Sequence, residues 1–153
     1  MPFPVAAGQI VDAADINFLN EVPAGRISIS AAKSIANATV TQVDFDVTDY
    51  VSGITADLAG NRLIVITPGI YLVTLYLAWA VGNTGTRFLS IRKNALDQVR
   101  DRRIPRDESE AAVTTAISLV ADDNINVNVY QTNGAALNLV TCVLTATYQR
   151  RLP

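Results

Sequence analysis

Apolar residues recur at every second position in the longest hydrophobic run of this sequence, residues 67–79. One side of the run carries large apolar residues, namely Tyr71, Val73, Leu75, Leu77 and Trp79. The other side is also largely apolar and carries Leu72, Thr74, Tyr76 and Ala78. A strand that faced water on one side would alternate apolar with polar residues. The aromatic and β-branched content, and the Pro-Gly turn before the run, favour a strand over a helix of the same length. We therefore predict a strand at 69–80 that is covered on both faces, with one cover supplied from outside its own sandwich.

Shorter apolar runs separated by turn residues follow one another from residue 26 to residue 148. The predicted strands are 26–31, 39–47, 62–67, 69–80, 86–93, 96–104, 111–121, 124–131 and 136–148. In 39–47 the inward residues are expected to be Val43, Phe45 and Val47. Many short strands at this spacing are typical of an all-β fold with two sheets.

The strand predicted at 111–121 differs from the others because one of its faces carries only small residues. Its larger residues alternate with Ala112, Thr114, Ala116 and Ser118. Small side chains allow another surface to approach closely. By contrast, 124–131 alternates Ile and Val with Asn, as expected of a strand with one polar face. The strand at 136–148 is apolar on both faces, with Leu137, Leu139 and Val143 expected on the side opposite to Val140, Leu144 and Tyr148.

Residues 1–25 form a separate segment, because their few apolar side chains cannot build a core. Within 12–20, Asp12 is a candidate helix N-cap, and Ile16 and Leu19 share a helical face, which predicts one or two helical turns. Such an arm either docks on the domain, on a sister subunit or on another protein, or stays frayed in an isolated chain. We predict that the arm anchors the protein through Phe3, Val5, Ile10, Phe18 and Leu19.

The composition is apolar and weakly charged. Hydrophobic residues make up 50% of the chain and charged residues 17%, with a formal net charge of −2. A low charged fraction suits a subunit that buries surface in an assembly, and the net charge gives no basic footprint for nucleic acid.

The start of the chain does not resemble a secretion signal, and no apolar window reaches the length of a membrane span. The single cysteine, Cys142, lies in an apolar run, which predicts a buried, unreactive thiol.

Candidate chemistry is sparse. The chain has no histidine, which excludes Ser-His-Asp and Cys-His nucleophiles and disfavours a transition-metal site. Two acidic groups are possible calcium ligands, Asp44 with Asp46 and Asp49, and Asp122 with Asp123, but acidic residues at strand ends are commonly solvated turn formers. We expect no catalytic residue, no metal and no cofactor.

Charges concentrate in the stretch 97–110, where arginines and acids interleave. The pattern predicts an ion-pair network, either solvated or across a subunit boundary, and a receptor- or glycan-binding loop is the functional alternative. Arg150 and Arg151 form either a solvated tail or a contact with an acidic surface of a partner protein.

Several segments of the chain resemble motifs of known jelly-roll and phage proteins. The segment GIYLVTLY (69–76), with a following Trp, resembles the Gly-x-Tyr signature of the jelly-roll superfamily that the complement globular head and tumour necrosis factor share. The segment LVADDNINVNV (119–129) is similar to that superfamily's Leu-x-x-Gly-Asp-x-Val-x-Val motif, with Asp122 in place of Gly. The segments 34–50 and 87–94 are similar to jelly-roll domains on tailed-phage virion proteins. The segment AGQIVDAADIN (7–17) looks like the opening arm of phage tail and fibre proteins.

The resemblance implies an all-β, two-sheet jelly-roll sandwich of the tumour necrosis factor type, with a short N-terminal arm that contains a helical turn. It divides the chain into an arm (1–25), a trimerisation domain (26–149) and a tail (150–153). It also implies a homotrimer, in which we expect an interface near the three-fold axis formed by Leu72, Tyr76, Ala112 and Ala116.

The function expected from this resemblance is that of a non-enzymatic bacteriophage virion protein, made in the host cytoplasm. We expect a capsid decoration or head-spike subunit, attached to the major capsid protein or another virion protein through the arm. The alternative is a tail-fibre or tail-tip adhesin that binds a host glycan. A secreted cytokine-like ligand is disfavoured, and we expect neither nucleic-acid nor membrane partners.

Overall fold

Two antiparallel β-sheets pack face to face in the computed structural model, which describes residues 22–82, 84–103 and 109–152. These residues contain twelve strands: β1 (Ala24–Ser28), β2 (Lys33–Ile35), β3 (Thr41–Gln42), β4 (Val47–Ser52), β5 (Ile54–Asp57), β6 (Arg62–Val65), β7 (Gly69–Trp79), β8 (Arg87–Lys93), β9 (Leu96–Arg103), β10 (Glu110–Leu119), β11 (Asn124–Gln131) and β12 (Leu137–Arg150).

The first sheet has the strand order β10-β7-β12-β1-β4, with β2 beside β12. The second sheet has the order β5-β6-β11-β8-β9, with β3 beside β11. Large apolar side chains from both sheets fill the space between them, among them Tyr71 and Leu75 from β7, Ile91 from β8 and Val127 from β11. This is the all-β two-sheet architecture that the strand pattern predicts.

The long strands lie where their periodicity predicts them, and the short strands β1 and β6 overlap the strands predicted at 26–31 and 62–67, but the other short strands differ from the prediction. The strand expected at 39–47 is wrong as a single element, because it comprises β3, a connecting segment and the start of β4. Val43 and Phe45 are buried in that segment as expected, whereas Val47 is only partly buried. Strands β2 and β5 were not expected, since three or four residues are too few to show a period.

A β-bulge corrects the expected facing of β12. The pairing of β12 with β7 shifts register between Leu139 and Thr141. Leu139 is therefore buried, but beyond the bulge Cys142 and Leu144 are the buried residues and Val143 faces the other way. Cys142 is fully buried, and this burial raises the pKa of its thiol. The prediction that this thiol is buried is thus confirmed.

The Gly-x-Tyr motif at the start of β7 is explained by its contacts with the end of β12. The Tyr71 hydroxyl donates a hydrogen bond to the Thr67 carbonyl at 2.7 Å, and the Tyr71 ring meets the Tyr148 ring edge-on at 5.4 Å. A Cβ on Gly69 would lie 2.2 Å from Cε2 of Tyr148. Only glycine therefore leaves room for this aromatic pair, which closes the sandwich at that end.

The two ends of the sandwich differ in what they carry. The proximal end is defined by the start of β1, the start of β7 and the ends of β10 and β12. At this end the Tyr148 N–H donates a hydrogen bond to the Pro23 carbonyl. The distal end is defined by Trp79, Arg87 and Glu110. The predicted helical turn within 12–20 lies outside the described residues, and the chain enters the fold at the proximal end.

Candidate functional site: the open face of the first sheet

The outward face of β10, β7 and β12, called the open face below, is not covered by any part of the described chain. Register places Ala112 opposite Tyr76 and Ala116 opposite Leu72 on this face. Leu72 is 40% exposed and Tyr76 37% exposed, whereas their neighbours along β7 on the inward side are buried. The four residues predicted for the trimer interface are therefore brought together on one surface.

A row of threonines crosses the middle of the open face. Thr74 lies opposite Thr114 on one side and Thr145 on the other. The hydroxyls of Thr74 and Thr114 are 3.1 Å apart and share a hydrogen bond. Because these hydroxyls bond to each other, burying the row costs less than burying free hydroxyls.

The charges of this surface lie at its rim. Arg26 of β1 is paired with Asp49 at 3.2 Å. Glu110 lies at the distal end of β10, beside Tyr76. Partial burial, and then the charge of the Glu110 carboxylate, raise the pKa of Tyr76. The centre of the open face is therefore uncharged and built from small or apolar side chains, which suits a surface that becomes buried in an assembly.

The residues predicted to anchor the arm, Phe3, Val5, Ile10, Phe18 and Leu19, lie outside the described residues. At the proximal end, where the arm joins the fold, several apolar side chains are exposed. Val22 is 50% exposed, Ile66 56% and Val120 48%.

Four of the five acidic residues considered as calcium ligands are engaged by cations or backbone groups, namely Asp44, Asp46, Asp49 and Asp123. Lys33 Nζ lies 2.7 Å from Asp46 and 3.4 Å from Asp44, while Asp49 pairs with Arg26. In the part of the chain that the structure describes, no three acidic or cysteine side chains come together as metal ligands.

Asp123 is held in a buried turn by three donors. Lys93 Nζ lies 2.9 Å from its carboxylate, the Val120 N–H donates at 2.8 Å and the Asn94 amide at 2.6 Å. Burial alone would raise the pKa of Asp123, but these three donors lower it below the ordinary value of 3.8. The ionised carboxylate therefore stabilises the native state.

We expect Asp123→Asn to lower the free energy of unfolding by about 1–3 kcal/mol at pH 7, because charge-assisted hydrogen bonds are lost. The lowered native pKa means that this contribution is present above about pH 4 and is lost as the pH falls through the native pKa. Urea unfolding of both proteins at pH 7 and at pH 3 measures the difference, which should shrink at pH 3. Exposed Asp122→Asn is the control, and an equal loss at both pH values would contradict the assignment.

Asp122 itself occupies a backbone position that favours glycine. Its φ is +69°, and its N–H donates to the Val65 carbonyl at 2.9 Å, which fixes the turn. We expect Asp122→Gly to be more stable than Asp122→Ala by about 1 kcal/mol, because alanine pays for a left-handed conformation and glycine does not. Chemical denaturation of the two variants measures this, and equal stabilities would show that the turn adapts to alanine.

The charged stretch forms ion pairs within the chain. Asp97 pairs with Arg92 and Arg100, and Asp101 with Arg103. Residues 104–108 of this stretch lie outside the described residues. The predicted ion-pair network is thus confirmed for 97–103.

Arg87 is a buried charged residue that was not among the predicted site residues. This residue is the first of β8 and lies on the inward side with Leu89 and Ile91, and it is only 5% exposed. The signal in the sequence was a charged residue in phase with the buried positions of the strand predicted at 86–93.

The described fold is an antiparallel jelly roll of the tumour necrosis factor type. Three similar solved structures have this fold and confirm the predicted class. PRD1 vertex protein P5 is 20% identical with a TM-score of 0.68, and the match covers 84% of this chain and 97% of that one. The globular domain of a zebrafish complement 1qA protein is 11% identical, with a TM-score of 0.65 and coverage of 85% and 99%. The Eiger tumour necrosis factor of S. frugiperda is 14% identical, with a TM-score of 0.62 and coverage of 87% and 96%.

No protein-family model matches the chain, and no curated protein does so either. Within the described residues, no helix has the length and apolar content that crossing a membrane requires.

Proposed function

We propose that this protein is a bacteriophage virion structural protein, a homotrimeric capsid decoration or head-spike subunit without enzymatic activity. The observation that carries the proposal is the open face, where Leu72 and Tyr76 stand exposed opposite Ala112 and Ala116. The similarity in fold to a vertex protein supports the virion setting.

Three copies can close around a three-fold axis with their open faces turned inward. Closed symmetry buries the same surface on every subunit and leaves no unpaired copy of it. Ala112 and Ala116 allow the sheets to approach closely, while Leu72 and Tyr76 supply the apolar area. Because the centre of the face carries no charge, its burial avoids the large desolvation cost of an unpaired ion.

Attachment is assigned to the arm, with its apolar side chains Phe3, Val5, Ile10, Phe18 and Leu19. The arm joins the fold at the proximal end, beside exposed Val22, Ile66 and Val120. This end then faces the capsid, and the distal end points away from it. Three arms on one trimer increase the avidity for the particle through their effective concentration.

Light scattering of the purified protein, and particle binding by an arm deletion, test the proposal. The deletion should remove residues 1–21, because Pro23 and Ala24 already bond to β12. We expect both proteins to have the mass of a trimer at micromolar concentration, and only the full chain to bind particles. A monomeric full chain would refute the interface, and a truncated trimer that still binds would refute the anchoring role of the arm.

A tail-fibre or tail-tip adhesin is a second candidate, favoured by an aromatic cluster on the outward side of the second sheet. The rings of Phe88 and Tyr130 stack at 4.7 Å, and the Arg100 guanidinium lies 4.9 Å from the Phe88 ring. Aromatic rings exposed at a surface offer an apolar platform on which a host sugar ring packs. Glycan-array binding that is lost in Tyr130→Ala would support this candidate, and an array without hits would remove it.

A further inference from the structure

A buried amide side chain organises the turn that follows β11 at the distal end. Gln131, the last residue of β11, is 0% exposed and lies opposite Arg87. Its Nε2 donates hydrogen bonds to the Ile35 carbonyl at 3.0 Å and to the Ala135 carbonyl at 2.9 Å. Its Oε1 accepts a hydrogen bond from the Asn133 N–H at 2.6 Å. The backbone of this turn is therefore fixed from the inside of the sandwich.

The same turn contains the only Asn-Gly dipeptide of the sequence, Asn133-Gly134. An asparagine side chain reacts most readily with the backbone nitrogen of a following glycine, because glycine has no side chain to shield that nitrogen. The position is open in the structure: Gly134 is exposed, and nothing lies within 4 Å of a Cβ placed on it. Solvent therefore reaches the peptide group that joins the two residues.

Two hydrogen bonds hold the groups that would react. The Gly134 N–H donates to Oδ1 of Asn37 at 2.9 Å, and the Thr84 hydroxyl donates to Oδ1 of Asn133 at 2.9 Å. The bond to Asn37 controls reactivity, because the nitrogen attacks only after its proton has been removed and this bond retains the proton. Asn37 is itself exposed, so local opening of the turn breaks the bond transiently.

We propose that Asn133 is a modification site at which asparagine converts to aspartate or isoaspartate, at a rate set by the bond between Gly134 and Asn37. The Gly134 nitrogen loses its proton to solvent base and forms a bond to Cγ of Asn133. The bond between Cγ and Nδ2 breaks, and the amide nitrogen takes a proton from solvent and leaves as ammonia. The product of this step is a succinimide ring.

Water completes the conversion by opening the succinimide. Addition of water at Cγ breaks its bond to the ring nitrogen and gives aspartate, whereas addition at the backbone carbonyl gives isoaspartate. The reaction consumes one water and releases one ammonia, and neither oxidation nor reduction takes place.

Conversion to aspartate places the new carboxylate near a cation. Nη2 of Arg87 and Oδ1 of Asn133 each lie 3.0 Å from the position of a Cβ on Gly82, so at most twice that distance separates them. An opposite charge at such a distance favours the ionised carboxylate. We therefore expect the aspartate form to remain folded. This inference concerns one turn of one subunit and does not depend on the proposed trimer or on the virion setting.

Mass spectrometry of the full-length protein, incubated in oxygen-18 water at mildly alkaline pH, measures the conversion. The peptide that contains Asn133 should change from amide to labelled acid. The rate should rise roughly two- to tenfold in Asn37→Ala, which is the change in population that one hydrogen bond controls. Ser34→Ala, exposed on β2, is the matched control and should keep the rate of the unchanged protein. Asn138, exposed on β12 and followed by leucine, should remain an amide in the same samples.

Amide hydrogen exchange at Gly134 provides a second readout that does not require a variant. In the unchanged protein, exchange at this amide should be slower in the native state than in urea, by about the same factor as the conversion of Asn133. A Gly134 amide that exchanges equally fast in both states would show that Asn37 does not retain the proton.

Melting temperatures test the role of Arg87. Asn133→Asp should melt no lower than the unchanged protein, because the carboxylate keeps an acceptor for Thr84 and gains the attraction of the guanidinium. Asn133→Ala should melt lower, because it loses the bond to Thr84 and adds no charge.

Three results would overturn the proposal. The first is an Asn133 that stays an amide in folded Asn37→Ala. The second is an equal rate of conversion in Asn37→Ala and in the unchanged protein, which would remove Asn37 as the residue that sets the rate. The third is an Asn133→Asp variant that melts below Asn133→Ala, which would show that the distal end does not accommodate the product.

Discussion

Replacing Ala116 by arginine is expected to convert the proposed trimer into folded monomers. Ala116 lies on β10 opposite Leu72 of β7, in the uncharged part of the open face. An arginine there would place three like charges near the symmetry axis with no acid among the facing residues. Leaving one uncompensated charge in an interface costs several kcal/mol, so three weaken association by well over a thousandfold.

The fold of the single chain should be unaffected, because Ala116 is exposed in it. Light scattering should give a mass reduced to one third, with an unchanged far-ultraviolet circular dichroism spectrum. Gln98→Arg is the matched control, since Gln98 is exposed on β9 of the second sheet. A trimeric mass for Ala116→Arg would place the subunit interface on another surface.

The open face could be predicted in part, because the alternation of side chains between the two faces of a strand is a local property. The alternation in 69–80 separates Leu72 and Tyr76 from the buried side, and the alternation in 111–121 separates Ala112 and Ala116. That these two sets meet on adjacent strands depends on register, which sequence periodicity does not determine. The resemblance to known jelly rolls supplied that step.

Other features could not be predicted from the sequence, for physical reasons. The bulge near Leu139 reverses the facing of the rest of β12, and one inserted residue leaves no signal in a run that is apolar on both sides. The burial of Arg87 depends on how the second sheet packs against Trp79. The role of Gly69 depends on Tyr148, a residue far along the chain.

Gly69→Ala is expected to cause a large loss of stability for a single added methyl group. The new Cβ would lie 2.2 Å from Cε2 of Tyr148 and 2.9 Å from the Arg150 carbonyl oxygen. The Tyr148 ring does not move easily, because it packs on the Tyr71 ring and the Tyr148 backbone N–H donates to the Pro23 carbonyl. The Arg150 carbonyl belongs to the backbone of β12 and does not move easily either. Overpacking of this kind costs about 3 kcal/mol, which corresponds to a fall of roughly 6–12 °C in the melting temperature of a chain of this size.

Calorimetry and urea unfolding of Gly69→Ala measure this loss. Gly134→Asn is the control, because nothing lies within 4 Å of a Cβ at that position, so that any loss there measures only the backbone strain at its φ of +89°. Asparagine tolerates positive φ better than most residues. Combining Gly69→Ala with Tyr148→Leu should cost less than the sum of the two single changes, since contacting residues are coupled. The rescue should be partial, because the Arg150 carbonyl remains in place.

If Gly69→Ala changed the free energy of unfolding by less than about 0.5 kcal/mol, β7 and β12 would have to separate readily at the proximal end. The glycine of the Gly-x-Tyr motif would then need an explanation other than the space it leaves for Tyr148.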